Sequence, residues 1–132
     1  MKRMMFAMCL ACLSWQAFGA TWQCRNDDLE VRCDDAHCSA QTDGFTPVSL
    51  SLDTARGTLE VCAYSGCWSG RARMLRDGPQ WLASGRSLAW SGAQSDKADM
   101  RTDLLFALDG RDRIGVLKGA GFAMPLRCEA GD

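Results

Sequence analysis

The chain holds one histidine, His37, inside Cys33-Asp34-Asp35-Ala36-His37-Cys38. A serine or cysteine nucleophile would need it as its base. It is lodged between acidic residues and a cysteine in a short loop, where a solvated histidine is the ordinary occupant. Cys33, His37 and Cys38 match no standard zinc spacing. Paired carboxylates could serve glycoside hydrolysis. The pairs here are Asp27-Asp28, Asp34-Asp35, Asp96 with Asp99, and Asp109 with Asp112. Each falls in a turn, where aspartate is favoured for local hydrogen bonding. Asp109-Gly110-Arg111-Asp112 lacks the further ligands of a calcium loop. No catalytic residue, metal ligand or cofactor is assigned, and the chain reads as a non-enzyme. A small secreted hydrolase using His37 or a turn carboxylate is the alternative that an activity loss in His37→Ala would reveal.

Recognition chemistry is better represented. Val61 to Arg73 reads Val-Cys-Ala-Tyr-Ser-Gly-Cys-Trp-Ser-Gly-Arg-Ala-Arg. Cys62 and Cys67 flank four residues, Ala63 to Gly66. Leu59, Val61 and Ala63 alternate with polar neighbours in the period of a half-buried strand. The segment is a hairpin whose neck a disulfide can clamp. Its partner-binding candidates are Tyr64, Ser65, Gly66, Trp68, Ser69 and Arg71, with Arg73 nearby. Tyr, Trp and Arg dominate binding hot spots, and a cross-linked loop has less entropy to lose on binding. Alternation after the turn leaves the side taken by Trp68 open. Trp81 and Trp90 are candidates for the interior.

The elements that must carry this hairpin follow from cysteine arithmetic. Residues 1–20 combine basic Lys2 and Arg3, an apolar run from Met4 to Leu13, and small residues at Ala17, Gly19 and Ala20. That is a secretory signal peptide. Cleavage after Gly19 sets Ala17 and Gly19 at the two small-residue positions, whereas cleavage after Ala20 sets bulky Phe18 there. A lipid anchor on Cys12 is a minor alternative. The expected product is one exported domain, 21–132, periplasmic or secreted. Loss of Lys2 and Arg3 leaves 13 of the 15 basic groups against 16 acidic ones, a formal charge of −3. No basic block tracks a phosphate backbone, so nucleic acid is not an expected partner. No second apolar run reaches membrane length.

Of the eight cysteines, Cys9 and Cys12 leave with the leader. The other six in a small exported chain imply disulfides. Cys33 and Cys38 repeat the four-residue gap of Cys62 and Cys67, and hairpin geometry brings such flanking residues opposite each other. Cys24 and Cys128 remain, joining the first strand to the last.

The rest is strand and turn. Leu29 and Val31 alternate up to Cys33, and Cys38 to Thr42 continues beyond the loop. Val48, Leu50 and Leu52 alternate, as do Leu104, Phe106 and Leu108. Asp109 to Asp112 turns the chain into Ile114 and Val116, the strongest hairpin signal in the sequence. Trp81 to Ala83 and Leu88 to Trp90 are two short strands. Ser91 to Asp103 is polar, a short helix or a long loop. The fold class is all-β: a small antiparallel β-barrel or sandwich with three disulfides and at most one short helix. Pairing of the terminal cysteines favours the closed form, because closure removes exposed edges.

Trp22-x-Cys24 near the mature start, a central Ser-Gly turn, and Leu126-x-Cys128-Glu129 at the end resemble two groups of small periplasmic proteins. These are the inhibitors of c-type lysozyme and the immunity proteins against cell-wall amidases of type VI secretion systems. The lysozyme inhibitors are antiparallel β-barrels that insert a Ser-Gly loop into the enzyme's cleft. The resemblance implies that Ser65-Gly66, or Ser69-Gly70 with Arg71, is the inserting loop here. No tyrosine follows either Ser-Gly at that family's offset. The implied function is a periplasmic protein inhibitor whose partner is a peptidoglycan amidase or muramidase. A small envelope module holding an apolar ligand in the barrel mouth is the alternative.

Overall fold

A computed structural model describes residues 20–93 and 100–131. Residues 1–19, which hold Cys9, Cys12 and nearly all of the expected leader, lie outside the described residues. Ten strands follow in order: β1 (Thr21–Asn26), β2 (Glu30–Cys33), β3 (Cys38–Gln41), β4 (Val48–Asp53), β5 (Thr58–Ala63), β6 (Gly66–Asp77), β7 (Gln80–Gly92), β8 (Arg101–Asp109), β9 (Ile114–Gly119) and β10 (Phe122–Gly131). No helix occurs among the described residues. Neighbouring strands pair antiparallel in the order β1, β4, β5, β6, β7, β8, β9, β10, and β10 returns to β1. The result is a closed eight-stranded barrel. The β2–β3 hairpin is an addition, fastened to the start of β10 through Val31–Ala123 and Arg32–Phe122.

Eight strands leave an interior just wide enough for side chains. Here Leu50, Leu52, Leu59, Leu88, Phe106 and Leu117 occupy it, each at most 1% exposed. They are the inward positions of the period-2 pattern, and Leu104, Phe106 and Leu108 face in while Arg101, Asp103 and Leu105 face out. Cys24 stands opposite Cys128 in the β1–β10 register, and their disulfide crosses the closing seam on the buried side. Cys33–Cys38 and Cys62–Cys67 also join directly opposed residues. All three expected pairings are present, and the barrel is the one of the two expected architectures that forms.

Two segments differ from the expectation. Trp81 to Ala83 and Leu88 to Trp90 belong to one long strand, β7, because a bulge between Gly85 and Leu88 absorbs Arg86 and Ser87 without ending the pairing. Ser87 takes a left-handed φ of 54°, and its N–H donates to Asp103 Oδ1 at 2.6 Å. A polar run holding a bulge looks like a break in sequence, since the extra residues interrupt the alternation. In the Ser91 to Asp103 stretch, Ser91 and Gly92 complete β7 and Arg101 opens β8. Residues 94–99, the middle of the expected short helix or loop, lie outside the described residues.

Turn chemistry closes the hairpins. Gly78 has φ 55°, which a two-residue turn with glycine at its first central position requires. At the β8–β9 turn, Asp109 Oδ1 accepts from the Arg111 backbone N–H at 2.9 Å, and Oδ2 accepts from Arg111 Nη2 at 2.9 Å. The Arg111 side chain, then its amide, holds the Asp109 carboxyl down from 3.8 to about 2.

Two outcomes follow for stability. Replacing Cys24 and Cys128 together by serine removes the covalent link across the seam, and denaturant melts should show a loss of about 2–5 kcal/mol. The Asp109 carboxyl is depressed, so its contribution is complete above the ordinary carboxyl range and is lost as pH falls from 3.8 towards about 2. Asp109→Asn should therefore show a shallower loss of stability across that window, in melts taken as a function of pH, than the parent protein.

Candidate functional site

The β5–β6 hairpin ends in a tighter turn than the four-residue loop between its cysteines implies. Ala63 pairs with Gly66, leaving Tyr64 and Ser65 as the two turn residues. Cys62–Cys67 sits one step below, on the outer wall, because Val61 and Trp68 take the inward position beside it. Tyr64 is 84% exposed, the most exposed large hydrophobic among the described residues. Ser65 is also exposed, and its carbonyl accepts from Ala93 N–H at 3.2 Å. The turn is thus held from two sides: by the disulfide across its neck and by the end of β7.

Gly66 is required by close approach. It faces Gly92, and a Cβ on Gly66 would overlap Ser91 O and Gly92 Cα. A Cβ on Gly92 would likewise overlap Ser65 O. Two glycines in register let β6 and β7 meet where side chains would keep them apart.

The six candidate residues therefore divide. Tyr64 and Ser65 form the exposed tip. Ser69, opposite Glu60, and Arg71, opposite Thr58, lie on the outer wall below the disulfide. Gly66 supports the turn from within. Trp68 lies on the other side of the strand: it packs on the core and on Trp90, ring centroids 4.4 Å apart and planes inclined at 55°. The signal for that orientation was present in the cysteines. Once Cys62 pairs with Cys67, Trp68 stands opposite Val61 and shares its face.

Residues remote in sequence complete the tip. Arg25, Asp27, Pro47, Ser49 and Ala63 line a shallow groove of about 250 Å³ beside Tyr64. Arg25 Nε and Asp27 Oδ2 are 2.6 Å apart. The Asp27 hydrogen bond and charge raise the Arg25 guanidinium pKa above its ordinary value. The tip thus presents an aromatic ring next to an ion pair. Nothing local in the sequence links Arg25 or Pro47 to Tyr64; register across β1, β4 and β5 does.

His37 lies elsewhere, in the β2–β3 turn. Asp34 Oδ1 accepts from Ala36 and His37 backbone N–H at 2.8 and 2.9 Å, and these bonds lower the Asp34 pKa. His37 Nδ1 is 3.5 Å from the same carboxylate oxygen. The adjacent sulfurs of Cys33 and Cys38 are joined to each other. Glu60, Cys62 and Cys67 bring potential ligand atoms within 4.8 Å of one another. Both of those sulfurs are likewise tied in a disulfide, so neither offers the thiolate that a metal binds. Comparison with family models, curated proteins and solved structures finds no match to this chain.

The division of the tip is measurable in folding alone. Tyr64→Ala should leave stability within about 0.5 kcal/mol of the parent. Trp68→Ala should cost about 3 kcal/mol, the low end for a truncated core aromatic, since Trp68 is half-buried. Thermal melts of the two variants side by side give the comparison.

Proposed function

We propose that this chain is an exported protein inhibitor that blocks a peptidoglycan-degrading enzyme, an amidase or a muramidase, with the Tyr64–Ser65 tip. The observation that carries the reading is a fully presented tyrosine on a two-residue turn clamped by Cys62–Cys67. A soluble domain gains nothing in stability from an aromatic ring placed in water, whereas a binding surface gains a large contact area. Tyrosine has two side-chain torsions to immobilise, and its turn is already fixed, so little entropy is lost on docking. The neighbouring Arg25–Asp27 pair supplies polar contacts beside the ring, with Arg71 further down the same outer wall. Export is supported by the leader pattern and by three disulfides, which persist in oxidising compartments. The target class rests on the resemblance of the Trp22, Cys24 and Leu126-x-Cys128-Glu129 frame to periplasmic inhibitors.

The test is inhibition of purified cell-wall muramidases and amidases acting on peptidoglycan. The parent protein should inhibit at least one class with a measurable constant. Tyr64→Ala, melting as the parent does, should weaken inhibition of that enzyme about thirtyfold, equivalent to about 2 kcal/mol. A Tyr64→Ala protein that inhibits as well as its parent, or a parent that inhibits neither class, would reject the proposal.

A further inference from the structure

The barrel is unevenly built. β6 runs twelve residues, Gly66 to Asp77, but β5 accompanies it only as far as Arg71, opposite Thr58. The final hydrogen bond on that side is Ala72 N–H to Gly57 O at 2.9 Å. From Arg73 to Asp77, β6 is paired with β7 alone, and no strand among the described residues lies along its other edge. Because backbone groups alternate in direction along a strand, Met74 and Arg76 point the same way as Ala72, towards that open edge. An unpaired strand edge is a template for another strand.

The side chains on this edge are self-complementary. Arg73, Leu75 and Asp77 alternate on the outer wall, and all three are exposed, Leu75 at 65%. Neither Arg73 nor Asp77 makes an ion pair with a described residue. We propose that the Arg73–Asp77 edge of β6 pairs antiparallel with the same edge of a second copy of this chain, centred on Leu75. A two-fold axis through Leu75 sets Leu75 against its counterpart, and sets each Arg73 against the other copy's Asp77. The same register makes Met74 and Arg76 of opposite copies a hydrogen-bonded pair, using the backbone groups that face outward. Backbone direction and charge order thus select one register. The apolar outer row Leu75–Leu82–Ala107–Val116, in which each residue stands opposite the next, would continue across the junction into the second copy. β3 is also an open edge and carries Cys38, Ser39, Ala40 and Gln41, which contain no opposite charges to set a register. Both inhibitory tips stay free, since Leu75 is roughly 30 Å along β6 from Gly66 at ~3.3 Å per residue.

Sedimentation of the purified protein over a concentration series tests this. The edge is short, so the expectation is a reversible monomer–dimer equilibrium at the weak end of the range for specific interfaces. Asp77→Arg alone, or Arg73→Asp alone, places like charges opposite each other twice and should raise the dissociation constant about tenfold. The double exchange, Arg73→Asp with Asp77→Arg, should restore it. Arg76→Pro removes an outward N–H without touching the β7 ladder and should abolish the dimer. Circular dichroism and melting confirm that each variant is folded, and the charge exchange reads the interface even if Arg76→Pro does not fold. A parent that stays monomeric at all concentrations would overturn the proposal, including one whose edge accepts a strand of a different protein. So would a dimer indifferent to the charge exchange.

Discussion

Pairing of the first strand with the last is the constraint on which the structure rests. β1 and β10 are separated by most of the chain, and their alignment turns an open sheet into a barrel. Without that seam, two long edges would be exposed and the interior would be open along one side. Cys24–Cys128 fixes the seam at a directly opposed pair on the buried face, spanning 104 residues of sequence. Such a link removes many conformations from the unfolded chain. It also dictates which residues face inward on both strands, because a slip of one position would turn Trp22 and Leu126 outward.

Once the barrel is closed, inner and outer faces have separate tasks. Leucines, Phe106 and the inward tryptophans fill the interior, and the groove beside Tyr64 opens on the outer wall. The β5–β6 hairpin shows the division within a few residues. Val61 and Trp68 face in and anchor the hairpin, while Cys62–Cys67 lies outside and Tyr64 projects beyond both. An exposed ring is held rigidly because its strand neighbours are part of the core. Trp68 anchors the strand that presents the tip.

The long β6–β7 ribbon carries both a presented tip and an open edge. One extra residue on β7 shifts its register against β6 between Ser69 and Ala72 and against β8 between Gly85 and Leu88. Bulges bend strands and increase local twist. The ribbon extends past β5 at one end, because β5 begins only at Thr58, leaving Arg73–Asp77 uncovered, while its other end meets Ser65 and Gly66 through Gly92 and Ala93. The charges on that open segment have two compatible consequences. They discourage indiscriminate strand pairing, and they admit the one register in which opposite charges meet.

Local regularities were legible in the sequence by itself. Period-2 alternation marked the strands around Leu50, Leu59 and Phe106, and glycine and aspartate marked the turns. Matched cysteine gaps gave both hairpin disulfides, and their remainder gave the seam. These features depend on near neighbours, where strand geometry acts without help. The tertiary structure decided what depends on register between distant strands. Alternation identifies two faces but cannot carry through a bulge, so β7 reads as two strands although it is one. The groove of Arg25, Pro47 and Tyr64 exists because β1, β4 and β5 are adjacent, an order no local pattern encodes. The open edge of β6 is likewise a difference in length between neighbouring strands, visible only when their pairing is known.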